Sequence, residues 1–296
     1  MHPIRHLYVH VPFCPTICPF CDFHVVERRG GAVDEYLARL DVELAEAAER
    51  HDLVLSTVYL GGGTPSHLRT SELERLVGIV DRRVGWATDE ATLEVHPSTV
   101  SAARARRWVE LGFDRLSVGV QSFDDEVLRT LGRPHDAAAG RSAVERCLAA
   151  GATTSLDVIS AVPGQDLRAD LGAAVATGAH HVSVYTLTIE PGTPFDRDGV
   201  EVTEDAAADA LATTASVLGA AGYERYEVSN HARPGARCEH NQAYWRHRPY
   251  LGVGPSAASC LPVTDVDGGP AIARVANAEL SGWLAGEPAA GEVLSG

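Results

Sequence analysis

Three cysteines fall within one short run, Cys14-Pro-Thr-Ile-Cys18-Pro-Phe-Cys21. A C-x3-C-x2-C spacing supplies three thiolates from a single loop, enough to ligate three irons of a cubane [4Fe-4S] cluster. Four thiolates would close such a cluster, as in electron-transfer sites, whereas three leave one iron open to a further ligand. Zinc is the alternative occupant. Its structural sites want four closed ligands, and His24 would have to be the fourth. The remaining cysteines, Cys147, Cys238 and Cys260, read as inert small hydrophobes.

A second run, Tyr59-Leu-Gly-Gly-Gly-Thr64-Pro65, follows directly on an apolar stretch. Consecutive glycines let backbone approach a ligand closely, although a tight strand-to-helix turn would need the same residues. The polar residues Glu94, Gln121, Asp157 and Thr186 each lie in or just after a β-rich stretch. In a parallel barrel the strand ends face one way and build the site there.

The elements that must position these residues alternate. Strands are expected over Arg5 to Val11, Thr57 to Leu60, Thr92 to Val95, Arg115 to Val118, Thr154 to Ile159 and His181 to Leu187. Helices are expected over Asp34 to Arg50, with Leu37, Leu40, Leu44 and Ala48 at helical spacing, and over Ser71 to Val84, with Ser71 and Glu74 as a capping box. Further helices are expected over Ser101 to Leu111, Asp124 to Leu131, Asp136 to Ala150 and Glu204 to Ala221. Six strand-helix alternations imply a parallel α/β sheet with right-handed crossovers, and a closed or partly closed (β/α) barrel suits them better than an open sheet. From Pro262 the pattern weakens into Gly and Ala, and the end of the chain, Gly291 to Gly296, is expected to be partly disordered.

The chain has 296 residues, 45% of them hydrophobic, enough for a sizeable core. Its formal charge of -15 argues against nucleic acid or an anionic membrane surface as the main partner. Its 25 basic residues are all Arg, which reads as composition bias. No apolar run approaches the about 18 residues that span a bilayer, and Met1 to His10 lacks a signal-peptide pattern. A cytoplasmic location is therefore expected, where six cysteines do not suggest a disulfide framework.

The ordered set of motifs resembles the radical S-adenosylmethionine (SAM) proteins of the HemN/HemW group, the anaerobic coproporphyrinogen oxidase-like family. The matching stretches are Tyr8-Val-His-Val-Pro-Phe-Cys14, Cys18-Pro-Phe-Cys21-Asp-Phe23, Gly61-Gly-Gly-Thr-Pro65, Gly119-Val-Gln-Ser122, Leu131-Gly-Arg-Pro-His135, Pro163-Gly-Gln165, Ile189-Glu-Pro-Gly-Thr193 and His240-Asn-Gln-Ala-Tyr-Trp245. The resemblance implies a TIM-like partial (β/α)6 barrel core over residues 1–222 and a small C-terminal extension over 223–296. It also implies that the open iron chelates the amino and carboxylate groups of SAM. An electron through the cluster would then cleave the sulfonium to methionine and a hydrogen-abstracting 5′-deoxyadenosyl radical. The electron would come from a donor such as flavodoxin or ferredoxin. Cys14, Cys18 and Cys21 match the cluster ligands. Tyr8, Gly62 and Glu94 match positions that hold the first SAM, with Tyr8 and Glu94 nearest the chemistry. Phe20, Gly63, Thr64, Gln121, Arg133, Asp157 and Thr186 match the set around a second SAM.

Departures from the family pattern narrow the reading. Phe23 stands where the oxidases of the group carry a fourth Cys. The Cys-Asp-Phe ending and the His-Asn-x-x-Tyr-Trp motif look more like the HemW branch of heme chaperones, where His240 would be a heme contact. Ala258, in a cofactor-binding position of the loop Gly252 to Ser259, replaces the usual His. His96 replaces an Asn, and Ala161 replaces a Gly. The usual C-terminal domain is also missing from this sequence. The resemblance therefore implies a heme- or tetrapyrrole-linked radical SAM protein. The alternative is a two-SAM C-methyltransferase or cyclopropanase acting on a small-molecule natural product.

Overall fold

The computed structural model describes residues 3–264 and 269–295. In chain order its main elements are β1 (Ile4–Val11), α1 (Ala32–Arg50), β2 (Leu53–Gly62), α2 (Thr70–Val84), β3 (Glu90–Val95), α3 (Ala102–Glu110), β4 (Arg115–Gln121), α4 (Asp125–Thr130), α5 (Ala137–Ala149), β5 (Thr153–Ser160), α6 (Leu167–Ala176) and β6 (His181–Thr186). There follow α7 (Glu204–Ala220), β7 (Asn230–Ala232), α8 (Glu239–Trp245), β8 (Tyr250–Val253), β9 (Ala258–Thr264), β10 (Pro270–Ala276), α9 (Leu280–Leu284) and β11 (Ala290–Ser295). The class is α/β. Two compact units can be distinguished. The first holds the chain up to Pro15, Phe23–Leu93 and everything from Cys238 onward; the second holds Thr16–Asp22 and Glu94–Arg237.

In the first unit β1 lies between two parallel neighbours, β2 (His6↔Thr57) and β8 (His6↔Tyr250). Ile4, Leu7, Val9 and Val11 are buried, and so are His6 and His10, as expected of a parallel strand covered on both faces. β3 pairs with β2 through Glu90 to Leu93. The stripe of α1 that faces the core is Val33, Tyr36, Leu37, Leu40, Leu44 and Ala47, so Ala47 is buried where the spacing had pointed to Ala48. Each fully buried Leu contributes about 1.5–3 kcal/mol. The start of α2 also differs from expectation. Arg69 is the last extended residue, and Glu72 rather than Glu74 reaches back to accept its backbone N–H at 2.8 Å. Glu72 also takes the guanidinium of Arg28 at 2.7 Å.

The end of the first unit is more ordered than its composition suggests. β8 to β11 form an antiparallel run, with β10 and β11 paired from Ala271↔Ser295 to Ala276↔Ala290. Residues 265–268 and 296 lie outside the described residues. Glu43 of α1 fastens this segment. Its carboxylate accepts from Gly254 N–H (2.9 Å), Asn277 Nδ2 (2.6 Å) and Trp283 Nε1 (2.9 Å), and burial pushes its pKa up.

In the second unit β4, β5 and β6 are parallel neighbours, and β7 adds antiparallel to β6. Side chains alternate across strands. One face carries Leu116, Val118, Leu156, Val158, Val182 and Val184, all buried. The other carries Arg115, Ser117, Ser155, Asp157, His181 and Ser183. The helices start on short polar caps: Ser101, Asp124, Asp136, Asp166 and Thr203 each accept a backbone N–H of the first turn, at about 1 kcal/mol apiece. The Asp166 cap opens α6, a helix without a clear apolar stripe. Among the described residues no helix is long and apolar enough to cross a membrane.

Candidate functional site

The first unit carries one set of the expected residues. β1 runs into Phe13-Cys14, which pairs in parallel with Val26-Glu27 and so closes the ends of the cysteine loop. The glycine run is zipped against the same stretch: Gly63 N–H donates to Val11 O and Thr64 N–H to Phe13 O, both at 2.9 Å. The Thr64 hydroxyl then lies 3.3 Å from Cys14 Sγ. Packing alone demands glycine here. A Cβ on Gly62, whose φ is 104°, would sit 2.5 Å from the His10 ring, and one on Gly63 would sit 2.9 Å from the Pro12 backbone.

His10, a residue that the motif reading passed over, organises this set. Its Nε2 is 2.9 Å from the His24 carbonyl. A carbonyl only accepts, so Nε2 carries the proton and Nδ1 accepts from the Tyr8 hydroxyl at 3.0 Å. Burial lowers the His10 pKa, which keeps the ring neutral. The Tyr8 hydroxyl therefore turns its lone pairs, not its proton, toward any further partner. Nε2 of His24 accepts Leu280 N–H at 3.0 Å.

The second unit carries the other set. Cys21 N–H donates to Cys18 O in one turn, and the motif Leu131-Gly-Arg-Pro-His135 grips that turn. Gly132 (φ 64°) leaves no room for a side chain, since a Cβ would lie 2.6 Å from Pro19 Cδ. Arg133 donates to Cys18 Sγ at 3.3 Å and to Gly119 O at 3.0 Å. Its buried Nε has no hydrogen-bond partner among the described residues. Phe195 N–H donates to Pro19 O, and Phe20 packs on the apolar cluster of Val127, Leu131, Ile159, Val162, Leu187 and Phe195.

Asp157 lies on the polar face of β5, where Ser117 donates to it at 3.4 Å and Ser183 also bonds it. Burial raises its pKa to about 6 against the pull of these hydroxyls and of Arg115 and Arg133. Glu94 and Thr186 stand at the C-terminal ends of β3 and β6. Gln121 ends β4 at a φ of 71°, and Ala161 just after β5 has a φ of 60°. These left-handed non-glycine residues mark local strain of the kind that collects at functional sites.

Other motif residues turn out to be braces. Asp170 of α6, buried, accepts from Ser122 Oγ (2.7 Å), Phe123 N–H (2.6 Å) and Gln165 Nε2 (2.8 Å), tying Gly119–Ser122 to Pro163–Gln165. His96 accepts Ser98 N–H at 3.2 Å and stacks edge-on against His135. His240 is 1% exposed, and both its ring nitrogens are engaged, Nδ1 with Thr57 Oγ1 and Nε2 with Tyr244 Oη, each at 2.7 Å. In this arrangement it holds α8 to β2 and offers no nitrogen to a heme. Ala258 begins β9 with its side chain exposed, and its carbonyl presses on Gly252. Cys147 is inert as expected, its thiol pushed up to about 12 by burial. Cys238 is not: it donates to Glu90 Oε1 at 3.2 Å and caps α8 by accepting Asn241 N–H.

No cysteine is in a disulfide. Among the described residues no three His, Cys, Asp or Glu side chains are gathered as a preformed metal cage. The donor set nonetheless suits an iron-sulfur cluster. Cys14, Cys18 and Cys21 are partly exposed, and polar neighbours contact Cys14 and Cys18, whereas Cys147 is fully buried.

The model of the radical SAM superfamily matches residues 8–170. The heme chaperone HemW of Escherichia coli is 38% identical over 266 residues, covering 86% of this chain and 70% of its own length. This chain belongs to the radical SAM superfamily, in the HemW branch of the HemN/HemW group. A HemW of Synechocystis is 37% identical, and the chain spans 65% of its length. The structure of E. coli coproporphyrinogen III oxidase (HemN), a radical SAM enzyme, superposes with a TM-score of 0.77 at 25% identity over 92% of this chain and 66% of that one. The fold is thus the TIM-like partial barrel of the radical SAM superfamily. The cysteine run lies inside the stretch that the family model matches.

Proposed function

We propose that this chain is a HemW-like radical SAM protein that binds a [4Fe-4S] cluster and SAM and handles heme. The observations that carry the reading are the polar contacts to the cysteine run, Thr64 to Cys14 in the first unit and Arg133 to Cys18 in the second, together with an exposed Phe23 where the resemblance puts the oxidases' fourth Cys. The relatives named heme chaperones at 37–38% identity support the link to heme.

Cys14, Cys18 and Cys21 would hold the cluster, which when bound supplies the electron for reductive cleavage of SAM. That electron would come from an external donor such as flavodoxin or ferredoxin. Tyr8, fixed by His10 with its lone pairs outward, and Glu94 are suited to accept from the SAM ammonium or ribose hydroxyls. Gly62 allows close backbone approach. Arg133 can hold a carboxylate bidentately, and Asp157, Gln121, Gly63, Thr64, Phe20 and Thr186 match, by resemblance, the family's set for a second SAM.

The test is anaerobic reconstitution with iron and sulfide, reduction with dithionite, addition of SAM and mass spectrometry of the products. 5′-Deoxyadenosine with saturable hemin uptake is the expected result. Formation of S-adenosylhomocysteine together with 5′-deoxyadenosine would replace this reading with two-SAM methyl transfer.

A further inference from the structure

Thr64 immediately precedes a short helical turn, Pro65–His67. A threonine in that position ordinarily turns its hydroxyl onto a backbone N–H of the first turn. Thr64 makes no such cap. Its carbonyl takes the His67 N–H at 2.8 Å, while its hydroxyl is left to Cys14 Sγ at 3.3 Å.

Both ends of this contact are anchored in the first unit. Thr64 is buried, and its N–H is held by Phe13 O at 2.9 Å. Phe13, the neighbour of Cys14, is fully buried and meets the Tyr36 ring edge-on at a centroid distance of 5.5 Å. Phe13-Cys14 also pairs with Val26-Glu27. The hydroxyl and the sulfur are therefore set against each other by packed backbone on both sides.

The direction of the bond follows from the state of the sulfur. A thiol could donate or accept. A thiolate, the form that ligates metal, can only accept, so the Thr64 hydroxyl donates to it. A threonine hydroxyl has one proton to give. Once that proton is on Cys14, Thr64 can only accept from a ligand bound beside it.

We infer that Thr64 tunes the reduction potential of the cluster, raising it through the hydrogen bond to Cys14, an inference that rests on the cluster reading above. Hydrogen bonds to the sulfurs are among the factors that set such potentials. In the step concerned one electron enters from the external donor, and no bond forms or breaks. The added negative charge is shared with the thiolates. A hydrogen bond strengthens with the charge of its acceptor, so the reduced state gains more from Thr64 than the oxidised state does. The resemblance offers Thr64 only as a contact for a second SAM. The geometry gives it this role whether one SAM binds or two.

A potentiometric titration of the reconstituted whole chain, anaerobic, without SAM and followed by electron paramagnetic resonance, tests the role. Thr64→Val keeps the shape of the side chain and removes the donor. The expected result is parent-like iron and sulfide content with an equilibrium constant for reduction about tenfold smaller, a potential about 59 mV more negative. Thr64→Ser, which keeps the hydroxyl, should stay near the parent value. An unchanged potential in T64V, or an equal shift in T64S, would overturn the inference. Thr64→Ala, which is smaller than the parent residue, replaces T64V if the valine disturbs assembly, and the same lowered potential is expected of it. Failure of both T64V and T64A to take up iron would overturn tuning in favour of a purely structural role. No iron-sulfur uptake by the parent chain would overturn the cluster reading itself, and this role with it.

Discussion

Arg133 and Cys18 are 115 positions apart in sequence, yet the guanidinium lies 3.3 Å from the thiol sulfur and 3.0 Å from the Gly119 carbonyl. The arginine therefore joins the cysteine loop to the end of β4 in the second unit, while Gly132 beside it seats Pro19. Arg133→Ala would leave Cys18 without its cationic neighbour and Gly119 O without a donor. Iron and sulfide should still be incorporated, but chelator should strip them several-fold faster. Arg133→Lys should recover only part of the loss, because an ammonium cannot reach two acceptors in a fixed fork. Chelation kinetics of reconstituted protein measure both, and wild-type rates in both variants would refute the role.

Gly62 and His10 are coupled by volume. Gly62→Ala puts a methyl 2.5 Å from the imidazole and a side chain on a residue whose φ is 104°. A loss of about 2–4 kcal/mol is expected in chemical denaturation. His10→Gly in the same chain should relieve the clash but not the backbone strain, so the double variant should lose less than the sum of the two single changes. Strict additivity would show that the contact carries no energy.

These pairs show what the residues disclosed in advance and what they did not. The cysteine run, the glycine turn and the six parallel strands were legible because each is a local signal: a spacing, a composition or an alternation. The family resemblance then supplied Arg133 and Asp157 as site residues, but not the reason for their placement. His10, Asp170 and Glu43 were missed because each acts through side-chain contacts that only the fold creates, and a lone buried polar residue has no periodicity to betray it. His240 stood out by its motif, and only its two short hydrogen bonds show it to be a brace. β9 to β11 escaped notice because their buried positions are small side chains, Ser259, Cys260, Ala271 and Ala273, which leave little hydrophobic alternation. Cys238 looked like a small hydrophobe, and its cap on α8 depends on a carboxylate 148 positions away.

Asp157 should make stability depend on pH. Its folded pKa of about 6 lies above the ordinary 3.8, so the folded state binds the proton more tightly than the unfolded state does. The contribution is fully present below pH 3.8 and is lost as pH rises through about 6. Asp157→Asn should remove that loss. Relative to the parent, the variant should gain about 3 kcal/mol above pH 6 and little below pH 4. Urea denaturation at a series of pH values reads the difference directly, and a constant offset between the two curves would contradict the assignment.

The buried histidines act in the opposite sense. Burial lowers the pKa of His240 to about 3 and those of His6 and His135 to about 4, all below the unfolded value of 6.5. Their stabilisation is therefore present above pH 6.5 and is lost as pH falls toward the folded values, because the unfolded chain takes up protons that the folded chain refuses. Each such group steepens the loss by one proton, about 1.4 kcal/mol per pH unit. His240→Gln should make the stability curve shallower by one proton between about pH 6 and 4. It should also lower stability at pH 8, where it leaves Thr57 or Tyr244 imperfectly paired, at a cost of about 1–3 kcal/mol. An unchanged acid slope in this variant would mean that the His240 ring gains a proton in the folded chain, in conflict with its two short hydrogen bonds and complete burial.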